Sequence, residues 1–360
     1  MKTNVYVIYG GRSVEHEISL KTASFILNAL DKEKYNVYPV YITMKGAWFP
    51  LEKIKEEILD VKTLQRSCTD SAAKSIGSFF MKDFRQEERS IVFPALHGTN
   101  GEDGTIQGFL ELLRIPYVGN GVLASAAGID KVVMKDLFAN ADIPQVKYIP
   151  FSLNQWMNNE QDTYKEIEKI IGYPCFVKPA RLGSSVGINR CVNREELEEA
   201  VKEAFLYDRK LVIEEEVIGR EMQIAVVGND DPIASVVGEF IQERPFMDYN
   251  AKYLDGKLVS VIPARLPADI SQKMRETSNA IFKLLNCSGL VRVDYFVTDK
   301  NRFFVNEVNT MPGLTKLSMF PALCEKTSGM TKKQLIEKLI ELGFERYEQQ
   351  QSILNARWEK

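Results

Sequence analysis

The chain has 360 residues, 45% of them apolar and 26% charged, with 46 basic residues against 49 acidic ones for a net charge of −3. That length supports two or three domains with real cores, and the composition is ordinary for a soluble globular enzyme. The balanced charge excludes a polybasic binder of nucleic acid or membrane surface, and no apolar run has the length of a membrane span or a secretory signal.

Residues 4–9 alternate as a buried strand that Gly10-Gly11 breaks, and Leu20, Ala23, Ile26, Leu27 and Leu30 recur at helical spacing over 19–30. A second strand over 37–42 completes a βαβ unit, which predicts an N-terminal α/β region on a parallel sheet. Residues 51–90 are charged and weakly patterned, and no function is assigned to them. A strand over 90–96 ends at His97-Gly98; a polar glycine loop, a helix over 105–113 and a turn at 117–121 follow. A new segment begins near Gly121, with a helix over 130–141 that ends before Pro144. It continues with a strand over 174–179, a glycine loop over 183–187 and a helix over 195–205. A third segment opens on a strand over 210–214 and runs through several strands to a late hairpin. Three domains are expected, at 1–121, 122–212 and 213–360. The C-terminal helix carries an inward stripe of Leu335, Ile336, Leu339, Ile340 and Leu342, and the polar tail after Tyr347 is expected to fray. The five cysteines contain no Cys-x-x-Cys pair; Cys175, Cys191 and Cys287 sit among apolar residues, as reduced core cysteines of a cytoplasmic protein do.

The hairpin carries the most chemistry. Arg292 and Asp294 are two apart, as are Glu307 and Asn309, so each pair shares one face of its strand. Thr298-Asp299-Lys300-Asn301-Arg302 is a turn signal between them. A turn centred on Lys300-Asn301 sets Asp294 opposite Glu307 and Arg292 opposite Asn309. Three oxygen ligands and a guanidinium then share one face, and facing carboxylates repel unless a cation lies between them. A polar surface hairpin is the plain alternative, but its flanks are heavily apolar, and buried strands need a reason to carry such groups.

Other motifs point the same way. Gly183-Ser184-Ser185-Val186-Gly187 follows Lys178 and could cradle phosphate, although it is not a P-loop and glycine-serine runs are commonly turns. Lys131 and Lys178 stand at edges of apolar stretches, where an ammonium is costly unless it meets an anion. Glu214-Glu215-Glu216 ends a β run and could hold an adenine amino group, with Glu221 on a ribose diol; a solvated acidic strand end is equally compatible. The two histidines, His16 and His97, flank the ends of N-terminal strands, where ligands of parallel α/β sheets gather. No serine or cysteine has a triad arrangement, which sets nucleophilic hydrolysis aside.

Taken together, residues 10–19, 96–98, 101–104, 129–131, 178–187, 248–253, 292–294 and 306–313 come in an order that closely resembles the D-alanine–D-alanine ligase family of peptidoglycan precursor synthesis. The resemblance runs from residue 4 to about 345. It implies an α/β (α+β) ATP-grasp fold, with an N-terminal parallel-sheet domain and central and C-terminal domains clasping ATP. It implies two magnesium ions (manganese as a substitute, a monovalent cation as a further option) on Asp294, Glu307 and Asn309, with Glu307 bridging. Arg292 and the Gly313 N–H would hold an oxyanion. Glu15 would pair with the first D-alanine's ammonium, linked to Ser184 and Tyr253, with His97 beside it. Ser318 and Met319 would meet the second D-alanine. Lys131, Lys178, Ser185, Glu214, Glu215, Val217, Glu221 and Lys252 would bind ATP. The loop over 246–254 would be a lid, with Met247 a departure from the tyrosine common in relatives.

Sibling ligases that join D-alanine to D-lactate or D-serine are the nearest rivals. Tyr253 argues against D-lactate, because lactate-forming relatives lack the Lys-Tyr pair or carry phenylalanine; D-serine depends on pocket side chains that sequence does not place. A nucleotide-binding regulator would show damage at the charged positions, and a generic ATP-grasp ligase would not explain Glu15 and His97. The expected partners are ATP and D-alanine, with no nucleic acid or membrane, in a cytoplasmic homodimer.

Overall fold

The computed structural model describes residues 2–183, 186–241, 259–315 and 317–355. Ser184, Ser185 and the whole of 246–254, with Met247, Lys252 and Tyr253, lie outside the described residues. Strand β1 (Thr3–Gly10), helix α1 (His16–Ala29) and strand β2 (Tyr35–Ile42) form the expected unit, with β1 and β2 parallel. Strand β3 (Trp48–Pro50) pairs antiparallel with β2. Beyond it, the 51–90 stretch folds into helix α2 (Ala72–Ser78) and a π turn at Phe79–Asp83, where Phe79 and Phe80 pack on Trp48. Strand β4 (Ser90–Pro94) then joins β1 in parallel, for the order β3-β2-β1-β4. Val5, Val7 and Tyr9 enter one core while Tyr6 and Ile8 enter another, so β1 is buried on both faces and reads as an apolar run.

Helices α3 (Thr105–Leu112), α4 (Val122–Ile129) and α5 (Lys131–Asn140) come next. The Asp130 carboxylate caps α5 by accepting from the N–H groups of Val132 and Val133. A second, antiparallel sheet follows, built from β5 (Tyr148–Ser152), β6 (Cys175–Pro179), β7 (Asn189–Cys191) and β8 (Lys210–Glu215) in the order β5-β8-β6-β7. Between its strands run α6 (Leu153–Asn158), α7 (Glu160–Ile170) and α8 (Arg194–Ala204); Tyr164, Ile167, Leu197 and Val201 fill its core. The described cysteines are all free thiols, and Cys175, Cys191 and Cys287 are buried as expected.

The third sheet comprises β9 (Arg220–Gly228), β10 (Ile233–Ala234), β11 (Gly238–Ile241), β12 (Val259–Val261), β13 (Gly289–Val297) and β14 (Phe303–Asn309). Its order is β12-β11-β9-β13-β14, with β10 on β9. Helix α9 (Ala268–Leu284), together with α4 and α5, packs on it through Ile281, Phe282, Ala124, Met134 and Phe138. Two last helices, α10 (Met319–Ser328) and α11 (Lys332–Asn355), join this sheet to the N-terminal one: Phe320, Leu323, Leu335 and Leu339 share a core with Val5, Val7 and Leu290. Each such side chain contributes roughly 1.5–3 kcal/mol by leaving water, so the N-terminal sheet and the hairpin are held as one body. As far as Asn355 the tail expected to fray continues α11 instead. The Tyr347 hydroxyl donates to the Arg114 carbonyl, and Gln349 donates to Asp230, so polar groups on that stretch have protein partners.

Candidate active site

The hairpin has the register expected at its site end: Arg292 faces Asn309 and Asp294 faces Glu307. The tip does not. Its turn pairs Val297 with Phe303 around Lys300, one residue out of step, and a bulge between Asp294 and Tyr295 restores the count by leaving Asn306 unpaired. Along β13 the burial alternates, with Val291, Val293 and Tyr295 in the core and Arg292, Asp294 and Phe296 on the open face.

That face floors a cavity of about 1120 Å³, and every expected site residue that is described lines it. Glu15 and His97 arrive from the ends of the first parallel strands, Lys131 from the start of α5, and Lys178 and Glu214 from β6 and β8. Gly313, Ser318 and Met319 come from the segment entering α10. At the N-terminal end, His97 Nδ1 lies 3.1 Å from Glu102 Oε1 and its Nε2 lies 2.8 Å from Thr22 Oγ1. Burial works against the imidazolium, but the hydrogen bond and charge of Glu102, with the charge of Glu15, outweigh it and hold His97 above its ordinary value. The glycine loop closes on the same spot: a Cβ at Gly183 would stand 3.2 Å from Glu15 Oε2, and one at Gly98 only 2.5 Å from it. The other expected histidine, His16, does not line this cavity. Its ring nitrogens meet the Gly11 carbonyl and the Tyr41 hydroxyl, so it braces the β1–α1 turn.

The same cavity also has lysines in its lining. Lys131 is held at the first turn of α5, its N–H donating to the Ala180 carbonyl and its ammonium to the Leu182 carbonyl at 2.9 Å, with Glu307 Oε2 at 3.7 Å. Lys178 donates to Glu214 Oε2 at 2.7 Å and to Asn306 Oδ1 at 3.3 Å. Burial opposes ionisation of Glu214, but the ammoniums of Lys135 and Lys178 prevail and hold its carboxyl at about 2.

A divalent cation would find two carboxylates and an amide oxygen here. Among the described residues no three His, Cys, Asp or Glu side chains form a metal cluster. The donors are all oxygen and too few for a closed protein cage, which is how a small hard ion shared with nucleotide phosphates is held. Arg292 meets Asp294 through two hydrogen bonds, of 2.6 and 2.7 Å, and Gln223 donates to Asp294 from β9 at 3.3 Å. Asn309 Oδ1 accepts from the Met311 N–H. The residue set therefore fits such an ion, with Asp294 shared between the cation and its guanidinium.

Residues 4–120 match the description "D-ala D-ala ligase N-terminus" and residues 137–341 match "D-ala D-ala ligase C-terminus". The chain belongs to the D-alanine–D-alanine ligase family. It is 51% identical to the D-alanine–D-alanine ligase of Bacillus licheniformis, over 98% of this chain and 99% of the relative. The ligase structure from Coxiella burnetii superposes with a TM-score of 0.81 at 32% identity, covering 99% of this chain and 97% of that one. The VanG D-Ala:D-Ser ligase structure from Enterococcus faecalis gives 0.76 at 34%, covering 95% and 100%. The fold is the ATP-grasp fold, and the family acts on small molecules with ATP and a divalent metal. No described helix is long and apolar enough to cross a membrane.

Sequence reasoning missed several residues at this site. Glu102 and Thr22 grip His97, Asn306 and Lys135 complete the lysine cluster, and Gln223 reaches Asp294. Lys135 had a usable signal, since it sits four residues after Lys131 and so on the same helix face. Gln223 had none, because the β9–β13 pairing joins segments far apart in the chain.

Proposed function

We propose that the cavity binds ATP and two molecules of D-alanine and joins the amino acids into D-alanyl-D-alanine for peptidoglycan precursors. The observation that carries this is one cavity floored by Arg292, Asp294 and Glu307 and lined by buried Glu15 and His97 together with Lys131 and Lys178. A buried carboxylate suits an ammonium, and lysine ammoniums suit a triphosphate. Family membership at 51% identity supports the same substrates.

A carboxylate oxygen is a poor leaving group until it is phosphorylated. In the first step the D-alanine carboxylate takes the ATP γ-phosphoryl group, and ADP leaves. Glu15 would hold the substrate ammonium, His97 would lie beside it, and Lys131, Lys178 and Lys252 would balance the migrating negative charge. Magnesium, on Asp294, Glu307 and Asn309, would neutralise phosphate oxygens when bound. Two ions, replaceable by manganese, would be held by these three residues, with Glu307 contributing to both; that is our assignment. The amine of the second D-alanine, its carboxylate received by Ser318 at the start of α10 beside Met319, would attack the acyl phosphate carbon. Arg292 and the Gly313 N–H would hold the resulting oxyanion until phosphate departs. Thr315 N–H donates to Ser318 Oγ, which fixes that hydroxyl, and Ser318 leaves its own helix uncapped by its side chain. Ser185, Glu214, Glu215, Val217 and Glu221 would bind the nucleoside end of ATP, and the 246–254 loop would exclude water. We further assign domains at 1–121, 122–212 and 213–360, a homodimer, and the cytoplasm, which suits the free thiols.

Phosphate release with ATP and magnesium tests this across D-alanine, D-serine, D-lactate and L-alanine. D-alanine alone should support fast release; slow release with D-alanine alone that D-serine greatly accelerates would move the chain to the D-serine ligases. Tyr253→Phe gives a sharper prediction. An attacking ammonium must lose a proton, whereas the hydroxyl of D-lactate is already neutral. A network of Glu15, Ser184 and Tyr253 would favour the amine. Removing the phenol oxygen should leave the fold intact and yield measurable D-alanyl-D-lactate, most at low pH where free amine is scarce. Product ratios from equal D-alanine and D-lactate across a pH series measure it, and an unchanged ratio at every pH rejects the role.

A further inference from the structure

Lys135 is the most deeply buried charged residue at the site, with 0% exposure, yet it does not line the cavity. Its Nζ lies 3.1 Å from Glu214 Oε1, while the other oxygen of that carboxylate accepts from Lys178 at 2.7 Å. The Tyr148 ring is 5.5 Å away on the far side. Glu214 is 2% exposed and Lys178 8%, so these three charges interact with little screening by water. Lys178 and Glu214 alone would cancel. With Lys135 behind Glu214, the cluster carries one net positive charge; Glu214 and Lys178 both line the cavity, and Lys178 is the cation of the two.

We propose that Lys135 is a positioning residue that cancels the charge of Glu214 from behind and so leaves Lys178 a net cation for the nucleotide phosphates. It rests on the placement of ATP beside Lys178 in the cavity. Burial, with the charges of Lys178 and Lys131, holds the Lys135 ammonium below its ordinary value, and the Glu214 carboxylate is the group that opposes this. A purely structural ion pair between α5 and β8 is the competing account, and it predicts no selective effect on phosphate.

The two accounts separate in the ratio of the dissociation constants of adenosine and ADP, which isolates what the phosphates contribute. Both ligands are titrated against the intact protein in magnesium buffer. Lys135→Met should lower that ratio about tenfold, the effect of about 1.4 kcal/mol. Glu214→Gln should raise it, since both lysines then stand uncancelled, and the Lys135→Met/Glu214→Gln double variant should return it towards the starting value. An unchanged ratio in Lys135→Met overturns the proposal. Should that variant not fold, the other two decide, and a fall of the ratio in both overturns the proposal. If the unaltered protein binds neither ADP nor adenosine, the nucleotide placement itself fails; if it binds ADP and only the ratio is insensitive, the role of Lys135 alone fails.

Discussion

Arg292→Ala is expected to lower kcat by about 10²–10³, the usual cost of one oxyanion donor, with little change in the KM for D-alanine. The guanidinium sits on the open face of β13, where it meets Asp294 through two hydrogen bonds. In the ground state the substrate carboxylate needs no extra donor there; in the tetrahedral intermediate a full negative charge appears on oxygen. A contact made only at that point changes turnover, not affinity. Arg292→Lys should recover little, because an ammonium cannot reproduce the planar fork that engages Asp294. Steady-state kinetics at saturating ATP decide the matter. A rise in KM with kcat unchanged would show uniform binding and remove Arg292 from the chemical step.

The second large effect is expected at Glu307. Glu307→Gln keeps shape and one acceptor oxygen but removes the charge that would bridge two cations. A bound metal supplies several kcal/mol to phosphoryl transfer, so turnover should fall by about 10² or more, and the magnesium concentration for half-maximal rate should rise. Stability should change little, since Glu307 is partly exposed and Lys131 Nζ stands 3.7 Å from its carboxylate. Thermal melting beside a magnesium titration separates the possibilities. A large loss of Tm with intact turnover and unchanged magnesium demand would make Glu307 a structural residue.

Much of this site was legible in the sequence because strand geometry is simple. Two-residue spacing put Arg292 with Asp294 and Glu307 with Asn309; the facing pairs hold although the turn lies one residue out of step, because the bulge at Asn306 restores the count. What stayed illegible depends on contacts between distant segments. The weakly patterned 51–90 stretch hides aromatic residues that pack on Trp48 from outside any periodic element. The polar end of α11 looked like a frayed tail because its partners, Arg114 and Asp230, are more than a hundred residues away. Lys135 could be read only as one more helix lysine, since its meaning depends on Glu214 lying across a helix–sheet interface.

The unpaired Asn306 gives the hairpin two independent counts, one for its tip and one for its mouth. Continued without the bulge, the pairing of Val297 with Phe303 would place Glu307 opposite Val293, and its carboxylate would point into the apolar layer. A residue lost from the exposed turn can be absorbed there by a different loop. Removal of Asn306 itself would even out the ladder and still set Glu307 opposite Asp294; a bulge lost with every residue kept is what turns the negative charge to the other side of the sheet. The place of the bulge is therefore as much a part of the proposed site as the two acids themselves.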